Sequence, residues 1–246
     1  MSLFKKLFNF KRNNNKSNYN EKNISDVIYW QNATYAILTT INHQDVRVIS
    51  GYEKNDKNKK IVKDLIEKWW GIYNRKDLLE MIEKLKNGLH NNDFLETIEQ
   101  LGIKECKSKD EFILKILPQY KEESHNLFLI MYDIWQKNKK YGDEPIIAWD
   151  FSRAIYLCHE GYVVDYLSYE EALSMALELC KKLQAKFNNW DELIFNYLDG
   201  YQYWSQELMC NPLSDASQRI KIYLDLKSQP DSIYNIDWNL ELKREW

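Results

Sequence analysis

Six large side chains, Trp190, Ile194, Tyr197, Tyr201, Trp204 and Leu208, recur at steps of four, three, four, three and four residues. At about 100° per residue this spacing gathers all six on one face of a helix, which no strand would do. A face of rings has to be covered, so the chain is predicted to fold by packing long helices around aromatic side chains. With 7 Gly and 4 Pro in 246 residues tight turns are few, whereas 9 Trp and 17 Tyr supply bulky packing groups.

Capping signals divide the rest into helices. Ser25 opens one that runs to about Ile41, and Ile61 to Trp70 forms another that ends at Gly71. Asn74 with Asp77 opens a third, which stops at Gly88. A short helix covers Asn92 to Leu101. Ser108 with Glu111 starts the next, broken by Pro118, and Ser124 to Lys140 follows. Pro145 suits the first turn of a helix that Gly161 should end, with Ile147, Phe151, Ala154, Ile155 and Cys158 as its apolar stripe. Ser168 with Glu171, then Asn189 with Glu192, open the last two clear helices, and Arg219 to Lys227 reads as a helix or an extended segment. Asp45 to Ser50 alternates like a strand. The predicted architecture is all-α: one irregular bundle of about eight helices over 24–246, with at most one short strand or hairpin near 45–50.

Residues 1–23 read differently. Leu3, Phe4, Leu7 and Phe8 are interleaved with Lys5, Lys6, Lys11 and Arg12, and an Asn-rich polar linker follows. Leu3 to Arg12 is either a start that docks on its own domain or a short interfacial helix touching a membrane surface. No later segment approaches the ~18 apolar residues of a membrane span, so a cytoplasmic protein is expected. The balance of 34 basic against 37 acidic residues leaves a formal charge of -3, which offers no field to attract nucleic acid. Cys106, Cys158, Cys180 and Cys210 are widely spaced and read as small structural hydrophobes in a reducing compartment.

Candidate chemistry is sparse. No His-Glu-x-x-His, Cys-x-x-Cys, Gly-x-Ser-x-Gly, Walker loop or Gly-x-Gly-x-x-Gly occurs, so neither a metal nor a cofactor is expected. Asp150 and Arg153 are the feature least like generic helix. They lie about 100° and 160° around the axis from Phe151, on one flank, and can pair at i,i+3. One reading is a surface ion pair; the other is a partly buried polar junction or the wall of a ligand cleft. Arg75 stands in a first helical turn, against the helix dipole, and so wants an acidic partner, Glu171 or Asp150. His90 follows a helix end and is either a structural histidine or an acid/base group. Glu170 and Glu171 fit a cap and a solvent face better than a carboxylate pair. Trp70, Trp149, Trp190, Tyr197 and Trp204 are candidate aromatic lining.

Taken in order, Trp70-Gly71-Ile72 with Asn74-Arg75, Gly88 near His90, Ala148-Trp149-Asp150 with Arg153, Gly161-Tyr162, Ser168 with Glu170-Glu171-Ala172, Leu183-Gln184 with Phe187, and Trp190-Asp191-Glu192 with Tyr197, Gly200 and Trp204 resemble one bacterial family. It is the family called domain of unknown function 1266, and the resemblance covers about 61–204. It departs from the pattern where the family places His directly after Gly, since Leu89 intervenes here. The resemblance implies a soluble bacterial protein and carries no activity with it. The expected function is therefore a non-enzymatic helical protein, accessory or immunity-like, that binds a protein or small-molecule partner. The alternative is a hydrolase- or transferase-like enzyme with Arg75, His90, Asp150, Arg153 and Glu171 around one cleft.

Overall fold

A computed structural model describes residues 24–246, so the expectations for Leu3 to Arg12 and the Asn-rich linker lie outside the described residues. Eleven α-helices occur among them, and no strand. In chain order they are α1 (Asp26–Ala33), α2 (Ala36–Ile41), α3 (Asp56–Trp70), α4 (Arg75–Lys86), α5 (Leu89–Gln100), the single turn α6 (Lys109–Glu111), α7 (Glu122–Asn138), α8 (Ile147–Val163), α9 (Tyr169–Lys186), α10 (Trp190–Ser205) and α11 (Asp215–Ser228). The fold class is as predicted, and the count of about eight is too low. Tyr35, at φ -122° and ψ 15°, breaks the first predicted helix in two. The segment after Pro212 also holds a full helix, α11, opened by Ser214 accepting from Ser217 N.

The predicted strand at Asp45 to Ser50 is instead a turn running into a 3₁₀ helix, Ile49–Gly51. Its backbone polar groups bond within the turn and to side chains of α1 and the α1–α2 junction rather than to a partner strand. Asn32 Nδ2 donates to Val46 O at 3.2 Å, and Ser50 N donates to Tyr35 Oη at 3.1 Å.

Local capping explains most helix starts. Ser25, Asn55, Asn74, Ser108, Ser168, Asn189 and Ser214 each accept from a backbone N–H of the first turn, and Ser168 with Glu171 completes a reciprocal capping box. The starts of α5 and α8 have no such local side chain.

The organising element is α8, in which every residue from Ile147 to Gly161 is buried. A helix covered on all sides lies inside the domain rather than on its surface. It packs against α9, α10, α4 and α5. The main core gathers around it, and a smaller one forms between α5 and α7 from Phe94, Ile98, Met131 and Ile134, closed by Phe112 and Ile146.

Two helical glycines set the closest approaches. A Cβ on Gly200 of α10 would lie 2.2 Å from Trp149 Cβ, and one on Gly161 of α8 would lie 2.5 Å from Leu78 Cδ2. Gly161 is therefore a packing position, and α8 continues past it to Val163 instead of ending there. Gly200→Ala should lower stability by about 2–3 kcal/mol through overpacking. Urea unfolding measures this, and an unchanged midpoint would show that the two helices can separate at little cost.

Candidate functional site

Two of the helix starts that lack a local cap, those of α5 and α8, exchange side chains across their junction. Gly88 precedes α5 in the left-handed region, φ 75°, and has no side chain to offer. Asp150, fully buried on α8, reaches across: its Oδ2 accepts from His90 N and from Asn91 N, each at 2.9 Å. In return Asn91 Oδ1 accepts from Ile146 N at 3.1 Å, and Asn91 Nδ2 donates to Asp143 O at 2.7 Å. Asn196 on α10 completes the junction, accepting from Ala148 N at 3.1 Å and donating to Pro145 O at 2.7 Å. Pro145 thus sits in the turn ahead of α8 rather than in its first turn. A carboxylate at a helix N-terminus also gains from the axial dipole.

Arg153 balances that carboxylate. Its Nη2 donates to Asp150 Oδ1 at 2.9 Å and its Nε to Trp149 O at 3.1 Å. The guanidinium lies 4.0 Å from the Trp149 ring centroid and 5.4 Å from that of Trp70. Burial pushes its pKa down to about 10 against the pull of Asp150, and the group keeps its charge at neutral pH. His90 Nδ1 is 2.9 Å from Asp150 Oδ1 and 2.7 Å from Arg153 Nη2. One ring nitrogen cannot both donate to the carboxylate and accept from the guanidinium, so the tautomer selects one of the two bonds.

The surface-pair reading of Asp150 and Arg153 does not hold: both are buried, and they form a clamp between helices. The signal available in the sequence was the near absence of charge along Ile147–Val163, where Asp150, Arg153, His159 and Glu160 are the only titratable groups besides Tyr and Cys. An amphipathic stripe was the wrong template for a helix apolar nearly all round.

Arg75 meets Glu171, at 2.8 Å and 3.3 Å, and also donates to Tyr166 O at 2.6 Å. The pair is exposed, and the Arg75 guanidinium together with the Ser168 cap holds the Glu171 carboxyl down at about 2. It stands at the start of α4, whereas His90 lies beyond the far end of that twelve-residue helix, about 18 Å along its axis. The five candidate polar residues therefore divide into the buried Asp150 and Arg153 with the half-buried His90 beside them, and an exposed pair. An open groove of about 500 Å³ at the α4–α5 junction is lined by Glu80, Glu83, Lys84, Asn87, Leu89, Asn92 and Asp93, none of them a candidate.

The aromatic candidates also divide. Trp149 packs on Tyr197 at 5.2 Å and on Trp204 at 5.9 Å, with His90 edge-on at 6.5 Å. Trp70 joins them through Arg153, and Trp204 is 47% exposed at the outer end of the stripe. Trp190 belongs elsewhere, in the core with Trp30 and Trp238 at 4.8 Å and 5.0 Å, its Nε1 donating to Ile236 O at 3.0 Å.

A second buried polar cluster escaped sequence reasoning because its members lie far apart in the chain. Tyr35 Oη is 2.6 Å from His159 Nδ1 and 2.5 Å from Asn32 Oδ1, and His159 Nε2 is 2.8 Å from Gln31 Oε1. Burial alone brings the His159 pKa down to about 3, so the ring is neutral and donates through Nε2. Beside it in sequence, burial raises the Glu160 pKa to about 8, and its Oε2 has no partner. Among the described residues no group of three or more His, Cys, Asp or Glu could hold a metal ion, and no helix is long and apolar enough to cross a membrane.

The family model described as "Protein of unknown function (DUF1266)" matches residues 65–238, most of the chain, and the protein belongs to that family. The match extends beyond α10 to take in α11 and Trp238. No curated protein and no solved structure shows a significant match.

Removing the Asp150 carboxylate strands Arg153 and the α5 N-terminus together, so Asp150→Ala should cost about 3–5 kcal/mol. Arg75→Ala should leave the urea midpoint nearly unchanged at physiological salt, as exposed pairs do. Equal losses for the two variants would contradict the division. Glu160 gives a pH signature. Its folded pKa lies above the ordinary 4.5, so its stabilising contribution is complete below pH 4.5 and is lost as pH rises toward about 8. Glu160→Gln should flatten the decline in thermal midpoint between those pH values, and an unaltered profile would place the decline on another group.

Proposed function

We propose that this protein is a non-enzymatic helical binding protein of the bacterial cytoplasm, accessory or immunity-like in role, and that it meets its partner at the face carrying Trp204, Trp70 and His90. The observation that supports this reading most is the half-exposed Trp204, which extends an otherwise buried run of rings to solvent. An indole there presents a large, partly apolar surface that rests on Trp149 and Tyr201 beneath it. The polar groups behind it are engaged in holding helices together. Asp150 accepts two backbone N–H groups and the Arg153 guanidinium, which leaves it poorly disposed to exchange protons with a substrate.

Gentle purification from the source cells followed by native mass spectrometry tests this reading. The wild-type chain should carry a stoichiometric ligand or protein, and Trp204→Ala should lose it while keeping its helical circular dichroism. A bare mass for the wild type, with no co-eluting partner, would count against a binding role.

A further inference from the structure

We propose that the aromatic box of Trp149, Tyr197 and Tyr201 is a binding site for the oxyanion of a small carboxylate- or phosphate-bearing molecule, with Arg219 as its principal ligand and Arg153 as a second positive charge. This deepens the binding-protein reading and rests on it.

Arg219 comes from α11, the helix that the sequence pattern left undecided. It is buried, at 6% exposure. Its guanidinium stacks 4.0 Å from the Tyr201 centroid, and its Nη1 donates to Tyr197 Oη at 3.2 Å. Its Nε is buried without a hydrogen-bond partner. Glu207 and Asp215 both act on Tyr201, but among the described residues neither forms an ion pair with Arg219; Glu207 accepts from Ala216 N at 3.0 Å at the α11 N-terminus. A buried guanidinium without a directly paired carboxylate is an expensive arrangement unless an anion completes it.

Arg153 approaches the same box from α8, 4.0 Å from the Trp149 centroid, while Trp149 lies 5.2 Å from Tyr197 and 5.6 Å from Tyr201. Two guanidiniums thus flank one set of rings, and Asp150 supplies one carboxylate, already shared with the α5 N-terminus. The field of Arg219 reaches Arg153 and disfavours its charged form, so the two repel across the box. Trp149 Nε1 is a second buried donor without a partner. Arg Nε and indole Nε1 only donate, so whatever satisfies them is an acceptor. Water supplies acceptors but no charge; an oxyanion supplies both. A guanidinium offers an oxyanion N–H donors in a planar fork, and the unpartnered Nε of Arg219 is one of them. Trp204 covers the box, 5.9 Å from Trp149 and 6.0 Å from Tyr201, and a turn of that half-exposed indole opens the way in. A site under one indole admits the terminal group of a small molecule.

Inorganic phosphate and acetate, titrated at constant ionic strength, are the probes, read by the Arg219 Nε–H resonance and by the thermal midpoint. The wild type should show a saturable shift of that resonance with at least one of the two anions, and the preferred anion identifies the class. Arg219→Met should weaken binding by about tenfold or more, as loss of a charge-assisted bond does. Arg75→Met, which removes an exposed guanidinium, should bind as the wild type does. An Arg219 resonance unmoved by both anions, or equal binding by Arg219→Met, overturns the proposal. If Arg219→Met does not fold, the wild-type resonance decides alone. Failure here alongside a ligand retained in native mass spectrometry removes only the oxyanion assignment; failure of both removes the binding role as well.

Discussion

The starts of α5 and α8 exchange side chains: Asp150 of α8 serves His90 and Asn91 in the first turn of α5, and Asn91 serves Ile146, the residue that leads into α8. Neither helix start is satisfied until both are docked, since an orphan N–H buried without an acceptor is costly. The rest of the candidate site hangs on this exchange. It fixes the N-terminal end of α8, which sets Trp149 against α10 and turns Arg153 toward the rings. Asn196 carries the same arrangement to α10, so three helices are tied at one point by two asparagines and an aspartate.

The two ends of α8 handle buried polarity in opposite ways. At the start, charge is retained: Asp150 has a guanidinium and two amide donors, and Arg153 has the carboxylate and two indole faces. Near the end, charge is given up. His159 is held neutral by burial among Tyr35 and Gln31, and burial favours the protonated form of Glu160. A helix can be central and still carry four such groups only because each is either paired or discharged.

What the sequence disclosed follows from the range of the interactions involved. Caps act within four residues, so Ser25, Asn74, Ser168 and Asn189 were readable, and a dipole argument gave Arg75 an acidic partner, Glu171 or Asp150, of which the structure has Glu171. The ring stripe was legible as far as Tyr201; Trp204 is half-exposed, and Leu208, predicted on the same helix face, lies beyond the end of α10 at Ser205, where Gln206 turns into the left-handed region. Glycine was the misleading residue. Gly71 does end α3, whereas Gly161 is there to let α4 approach, and both look alike in sequence. The reciprocal caps join residues about sixty apart, and Arg219 sits in a weakly periodic segment, so neither had a local signature.

The glycine contacts have a mechanical meaning. Gly200 seats the Trp149 side chain and Gly161 seats Leu78, so α8 is notched against α10 near one end and against α4 near the other. A rod held at two notches on different neighbours can neither slide by a turn nor roll about its axis without lifting out of one of them. Motion within this bundle is thereby shifted away from its helices and onto individual rings, and Trp204 is the ring over the box with the most room to move.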